Sequence, residues 1–367
     1  MIAEGLEARL RAIEQRLVEA APRVAIYLVF DRPERVEDRP GIQAAYFAER
    51  CLTDLQIEHL IAPLREVGCY VELIEGDLAL VDALASGRLA PTAQRPAVLI
   101  YNGVEGGVTR GGFRPGRKAL VPVLADAYGL PCANSPAHGC ALGRHKFHYF
   151  TLLRALGVRT PRVWHYRPAD GWANGHAPAE GTKVIAKSTY ESWAVGVTQR
   201  SAFFVDDSTI DRVPQIAEEI RQAVTVQEFI SGAEVCVPVF ADPRAFATTP
   251  VQVVLARSAR DPDAFLTIDD NLEPGGVAYE RFDGSRDVRR DLAGSAVATH
   301  DALELECFSR IDFRVDDVGD TWVIDVGVSP GVVQRSSAFA SVAQETIDHG
   351  SFIRIVMGAS LISRQLI

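Results

Sequence analysis

The segment CFSRIDFRVDDVGDTWVIDVGVSPG, residues 307–331, constrains the fold more tightly than any other part of the chain. Two runs of alternating apolar and polar residues flank Val318-Gly319, the pattern of an antiparallel hairpin. With those two residues as the loop, Asp317 opposes Asp320, Val315 faces Trp322, Phe313 faces Ile324 and Ile311 faces Val326. The last three of these pairs make an apolar face that predicts a core contact. The other face sets Asp312 against Asp325 and Arg310 against Gly327. Directly opposed residues have Cβ atoms about 4.5–5.5 Å apart, where like charges destabilise a sheet. A divalent cation between the carboxylates relieves that repulsion, and Mg²⁺ combines carboxylate oxygens with substrate phosphates. A solvated acidic face is the commoner fate of strand aspartates, and a slip of one residue would undo the pairing. The regular apolar partner face favours the metal reading.

The rest of the chain supplies an α/β framework. Residues 2–21 have apolar positions at helical spacing, broken by charges, and predict an amphipathic helix with no secretory signal. Val24–Phe30 is a continuous apolar run suited to a buried parallel strand. A helical stretch over residues 41–67 stops at Gly68, followed by strand-like YVELI (70–74) and AVLIY (97–101), and a helix over 118–128 stops at Gly129. This alternation predicts an open α/β sheet over roughly the first 130 residues. Helices follow from Ser135 to Gly143 and from His145 to Leu156, then a Gly-, Pro- and Ala-rich loop at 168–181. From Val184 onward the strands alternate as antiparallel sheets do.

Composition narrows the classes. A net charge of −10 disfavours a general nucleic-acid-binding surface. No apolar run approaches membrane-spanning length. The six scattered cysteines form no CxxC pair and read as free thiols of a reducing compartment, so a cytoplasmic protein without zinc is expected.

Two lysines suit phosphate binding. Lys146 lies near the start of the helix after Gly143, and Lys187 ends the apolar run Val184-Ile185-Ala186. A lysine acts on phosphate as a point charge, although either one alone is most often solvated. The loop STYESWAVG (188–196) follows Lys187, and no GxxxxGK[ST] phosphate loop occurs. The strand VTVQEFI (224–230), with Glu234 after Ser231-Gly232, has the layout of a strand edge that reads a base, followed by an acid for a ribose.

In order, these segments resemble the ATP-grasp superfamily, and most closely its D-alanine–D-alanine ligase branch. The similarity runs from about Val24 to the end and is densest at YGLPCANSPAHGCALGRHKFHYFTLLRALGVRTP, VIAKSTYESWAVGV, VQEFISGAEVCVPV, RIDFR and IDVGVSPG. The resemblance implies an ATP-grasp α/β fold with an amino-terminal Rossmann-like domain. Its units would be residues 1–134, 135–225 (central) and 226–367 (carboxy-terminal). It implies ATP with Mg²⁺ (or Mn²⁺), small-molecule carboxylate and amine substrates, ADP-forming ligation through an acyl-phosphate, and a possible homodimer. Residue by residue, Lys146 and Lys187 take the phosphate-binding roles and Glu191 an acidic position in the loop. Gln227, Glu228, Phe229 and Ile230 line the adenine, and Glu234 binds the ribose. Arg310 stabilises the oxyanion, Asp312 and Asp325 hold the metal, and Gly331 and Ser336 lie where substrate binds.

The departures are equally specific. The family's Asn two residues after the bridging acid is Gly327, that acid is Asp325 rather than Glu, and the small Gly-Ser-Ser loop is Ser192-Trp193-Ala194. DRPERVEDRP replaces a Gly-rich turn, and residues 258–283, with Arg257, Arg260, Arg281, Asp269 and Asp270 in or beside them, replace a Tyr- and Lys-rich lid. Nucleotide-side residues are mostly kept and amino-acid-side residues mostly are not, so a product other than D-alanyl-D-alanine is expected. A kinase or a non-catalytic nucleotide-binding protein on the same fold remains the alternative.

Overall fold

The computed structural model describes residues 2–32, 51–104, 116–257 and 261–367, with side chains from residue 5 onward. The first half of the helix expected over 41–67, most of DRPERVEDRP and Arg260 lie outside the described residues.

Three sheets follow one another along the chain. The first is parallel, with β1 (Val24–Phe30) between β2 (Tyr70–Glu75) and β3 (Ala97–Gly103). Every residue of β1 is buried, as its unbroken apolar run requires of a strand covered on both faces. The helix Asp54–Glu66 starts at a capping box between Thr53 and Gln56 and ends before Gly68, whose φ is +102°. The stretch read as one helix over 118–128 divides into a 3₁₀ turn, Arg117–Ala119, and a helix, Leu120–Ala127.

The second sheet is antiparallel. It contains β4 (Val163–Arg167), β5 (Gly171–Trp172), β6 (Lys183–Ser188), β7 (Ala202–Phe204) and β8 (Val224–Glu228), in the order β5-β4-β8-β6-β7. The Gly- and Pro-rich loop therefore holds a short strand. The helix Ala137–Leu142 starts two residues after Ser135, whose hydroxyl donates to the Val328 carbonyl instead of capping. The helix Lys146–Ala155 begins at His145, whose Nδ1 accepts from the His148 amide.

The third sheet is also antiparallel. Its main path is β12-β11-β9-β13-β14, formed by β9 (Ala233–Asp242), β11 (Val251–Leu255), β12 (Val277–Arg281), β13 (Phe308–Val315) and β14 (Thr321–Gly327). A further strand, β10 (Arg244–Ala247), pairs with β9 off that path. The last helix, His349–Ser363, is apolar on almost every side. Its core joins Leu10, Ile13 and Leu17 of the first helix, Ile26 and Leu28 of β1 and Phe240 of β9. The chain ends thus meet in one core that ties the parallel sheet to the carboxy-terminal one. Among the described residues no helix is long and apolar enough to cross a membrane, and the six cysteines are free.

The hairpin differs from its expected register in one informative way. Ile311↔Val326, Asp312↔Asp325 and Arg310↔Gly327 pair as expected, but the inner pairs are Phe313↔Val323, Arg314↔Trp322 and Val315↔Thr321. The cause lies in the turn. The Asp316 carboxylate accepts from the amides of Val318 and Asp320, and the Asp316 amide donates to the Asp320 carbonyl. The loop is therefore five residues wide, which advances β14 by one residue. A β-bulge between the Asp312 and Phe313 pairs restores the outer register, with Ile324 as the extra residue. Val323, not Ile324, joins the core, and Ile324 lines a cleft instead.

Gly232 joins β8 to β9 at a φ of +137°, and a Cβ there would lie 2.0 Å from the Val315 carbonyl oxygen. Gly232→Ala is expected to destabilise the protein by about 2–4 kcal/mol, through strain and a backbone clash. Thermal unfolding should show a midpoint several degrees lower, and an unchanged midpoint would contradict this close approach.

Candidate active site

A cleft of ≈ 940 Å³, measured out to its open mouth, lies between the second and third sheets. Lys146, Lys187, Glu191, Gln227, Glu228, Phe229, Ile230, Glu234, Arg310, Asp312 and Asp325 all line it. Gly331 and Ser336 line a second cavity, which shares Arg310, Trp193, Asn271 and Tyr279 with the first.

The opposed aspartates are central. Arg310 grips Asp312 with a two-pronged ion pair, Nε to Oδ1 at 2.7 Å and Nη2 to Oδ2 at 2.6 Å. Burial still holds the Asp312 carboxyl above its usual range, because Arg310 offsets the desolvation only in part and Asp325 adds repulsion. Burial would raise Asp325 as well, but Lys146, Lys187 and the Tyr149 hydroxyl overcome it and hold that carboxyl below the usual range. The Tyr149 hydroxyl donates to Asp325 at 2.7 Å, and Lys146 Nζ lies 3.8 Å away. Tyr149 sits one turn after Lys146 on the same helix, so one element presents both partners.

Both lysines donate to backbone carbonyls. Lys146 Nζ donates to the Glu191 carbonyl, and burial lowers the pKa of its ammonium. Lys187 Nζ donates to the carbonyl of the bulge residue Ile324 at 3.2 Å. Burial brings its pKa down to about 8, despite the attraction of Asp325 and Glu234. The bulge therefore turns a main-chain oxygen toward the cleft and anchors Lys187 there.

At the other end, the buried Gln227 also reaches the Ile324 carbonyl (3.5 Å), and Phe229 meets Phe265 edge-on with centroids 5.9 Å apart. Lys183 Nζ lies 4.3 Å from the Phe229 ring centre. Glu228 points its carboxylate at Arg162, with two contacts of 2.9 Å. The Glu191 carboxylate is likewise taken, by Arg117 at 2.9 and 2.5 Å. Burial raises Glu234, with Arg314 offsetting part of the effect from 3.3 Å. Ser336 caps the helix Ser337–Ala343 by accepting from the Phe339 amide, while the neighbouring Ser337 hydroxyl accepts from Arg310 at 3.4 Å.

Sequence reasoning missed Arg314, Tyr149, Arg117 and Ser337. Arg314 had a legible signal: alternation puts it on the face of Arg310 and Asp312, directly opposite Glu234 on β9. The others meet the site through packing between distant segments.

The donor set fits a hard divalent cation that takes most of its ligands elsewhere. Among the described residues no cluster of three His, Cys, Asp or Glu is placed to hold a metal, and the candidate protein donors are the opposed Asp312 and Asp325 carboxylates. Mg²⁺ characteristically binds this way, through one or two carboxylates with phosphates and water completing the shell. Gly327 offers no side chain, and a Cβ there would lie 3.5 Å from the Arg310 Cβ.

An antiparallel pair of sheets closing on a cleft with two lysines and opposed acids defines the class. The chain has the ATP-grasp fold, as the likeness to a *Bacillus anthracis* D-alanine--D-alanine ligase structure, described as complexed with ATP, shows: TM-score 0.68, 16% identity, 93% of this chain and 98% of that one. Within that class it resembles the D-alanine–D-alanine ligase branch. The family described as D-ala D-ala ligase C-terminus matches residues 179–357. D-alanine--D-alanine ligase B of *Xanthomonas campestris* pv. *campestris* is 25% identical over 308 residues, spanning 83% of this chain and 88% of that protein. The D-alanine--D-alanine ligase of *Caulobacter* sp. (strain K31) is 26% identical over 309 residues, spanning 80% and 84%.

Proposed function

We propose that the chain is an ADP-forming carbon–nitrogen ligase that joins a small carboxylate to an amine through an acyl-phosphate. The observation that carries this reading is the convergence of Lys146, Lys187, Arg310, Asp312 and Asp325 on one cleft. In the first step a substrate carboxylate oxygen attacks the γ-phosphorus of ATP, and ADP leaves. In the second, the amine attacks the acyl carbon, and inorganic phosphate leaves from the tetrahedral intermediate. Lys146 and Lys187 neutralise phosphoryl oxygens, and Arg310, shared by both cavities, stabilises the oxyanion on the acyl carbon. Mg²⁺ held by Asp312 and Asp325 would supply further charge neutralisation to the phosphates. Gln227, Phe229 and Ile230 accept the adenine, and Glu234 the ribose. The division at residues 134 and 225 into amino-terminal, central and carboxy-terminal units is part of this reading, with the second boundary moved past β8, which pairs within the second sheet through Glu228. ATP lies between the last two.

The second cavity supports an acceptor other than D-alanine. It encloses ≈ 1280 Å³ out to its mouth, with Trp193, Tyr279 and Arg335 among its walls. A small amino acid has little apolar area, so its recognition needs close polar groups at both ends. Here Trp193 occupies the loop where the resembled family has a small hydroxyl side chain. Arg257, from the replaced lid, is committed to Asp270 at 2.7 and 3.0 Å.

Two outcomes follow. Lys187, with its pKa near 8, is partly neutral at pH 8–9, and bound phosphates favour its charged form. Nucleotide binding should therefore take up protons at that pH, and the uptake should fade toward pH 6.5. Calorimetry of ATP·Mg²⁺ in buffers of different ionisation enthalpy reads this directly. Lys187→Met should reduce the uptake and weaken binding about 10- to 150-fold, the value of one charge-assisted phosphate contact. Unchanged affinity and uptake in the variant would remove Lys187 from the site.

With D-alanine as the sole amino acid, ATP and Mg²⁺ present, phosphate release should stay at background and mass spectrometry should find no dipeptide. Robust turnover would show that this cavity recognises D-alanine through other residues.

A further inference from the structure

Glu191 is the acid of the loop between β6 and β7, and its carboxylate is engaged by basic side chains. Arg117 holds it in a two-pronged contact, Nη1 to Oε1 at 2.9 Å and Nη2 to Oε2 at 2.5 Å. The pair is almost completely enclosed, with the two side chains 4% and 1% exposed. Gln222 donates to Oε1 at 3.2 Å, and Arg144 stands 3.6 Å from Oε2. Arg117 comes from the 3₁₀ turn that follows the parallel sheet, 74 residues earlier in the chain. Its neighbour Lys118 lines the second cavity.

The loop held in this way is strained. Immediately after Glu191 and Ser192, Trp193 and Ala194 both adopt left-handed backbone, with φ of 64° and 58°. Such conformations in residues other than glycine persist only where their surroundings over-determine them. On one side the loop is fixed by Asn271, whose amide donates to the Trp193 carbonyl at 3.0 Å. On the other it is fixed at Glu191, whose carbonyl accepts the ammonium of Lys146. A guanidinium that grips a carboxylate with both prongs sets orientation as well as distance. The residue whose side chain meets Arg117 is thus the residue whose main chain positions Lys146.

We propose that Arg117 is a positioning residue for the nucleotide's phosphates: through Glu191 it fixes the 188–196 loop and the Lys146 ammonium. It thereby makes the phosphate end of the cleft depend on the amino-terminal part of the chain, whose next residue faces the substrate cavity. The inference rests on the cleft binding ATP, and its test separates the two.

Full-length wild type, Arg117→Ala and Arg117→Lys are titrated by calorimetry with two probes, the Mg²⁺ complex of a non-hydrolysable ATP analogue and adenosine. Circular dichroism and the unfolding midpoint report folding in parallel. Arg117→Ala is expected to weaken the triphosphate about tenfold or more while leaving adenosine affinity unchanged, because adenosine contacts only the Phe229 end. Arg117→Lys, which keeps the charge but loses the fork, should recover part of the loss. Equal weakening of both probes would reduce Arg117 to a structural brace, and no weakening of either would remove it from the site; each overturns the proposal. Should Arg117→Ala fail to fold, Arg117→Gln, which leaves Gln222 and Arg144 beside the Glu191 carboxylate, is expected to show the same selective loss. Failure of wild type to bind either probe would overturn the ATP reading and this inference with it.

Discussion

Two carboxylates set side by side on neighbouring strands, Asp312 buried and Asp325 half-buried, repel each other, and the protein is organised around meeting that cost. Asp312 is answered within its own strand, by Arg310 two residues earlier on the same face. Asp325 is answered from outside the sheet, by Tyr149 and Lys146 on one helix, with Lys187 on a strand of the neighbouring sheet adding to the positive field. Even so, burial keeps Asp312 above the ordinary carboxylate range. Positive charge delivered to this spot is therefore favoured, and a cation bound together with phosphates delivers it without adding protein ligands. The electrostatics of the cleft and the chemistry proposed for it are the same problem.

The surrounding scaffold serves that geometry through main-chain atoms. The bulge at Ile324 presents its carbonyl to Lys187 and to Gln227, and the strained loop presents the Glu191 carbonyl to Lys146. Carbonyls orient ammonium groups without neutralising them; the charge that faces the two lysines is the Asp325 carboxylate. The apolar last helix, packed against the first helix and against both the parallel and carboxy-terminal sheets, gives the amino-terminal part a firm purchase on the rest. Arg117 can act on the loop from that side because its turn is anchored in the neighbouring core through Ala119.

Much of this was legible in the sequence where local periodicity governs. The β1 run, the stop of the second helix at Gly68 and the outer half of the β13–β14 pairing follow from alternation and stop signals alone, and alternation brought Arg310, Asp312 and Asp325 onto one face; the start of that helix at Thr53 was not foreseen. The inner half of the hairpin did not follow. Asp316 accepts from two turn amides and widens the loop, and that choice between two short turns depends on side-chain hydrogen bonds that alternation does not encode. The partners of Glu191 and Asp325 were hidden for another reason. Arg117 and Tyr149 reach them from 74 and 176 residues away, and only the packed structure makes them neighbours. Arg314 is the exception: it was readable by alternation in RIDFR.

Trapping of the activated carboxylate is the most direct test of the central claim, that the cleft makes an acyl-phosphate. Purified protein is incubated with ATP, Mg²⁺, hydroxylamine and members of a panel of small carboxylates and amino acids, and ADP and hydroxamate are measured together. The account predicts carboxylate-dependent ADP release, matched by hydroxamate and abolished in Lys187→Met. ADP release with no hydroxamate and a stable phosphorylated product would contradict it, and would assign the same cleft to a kinase.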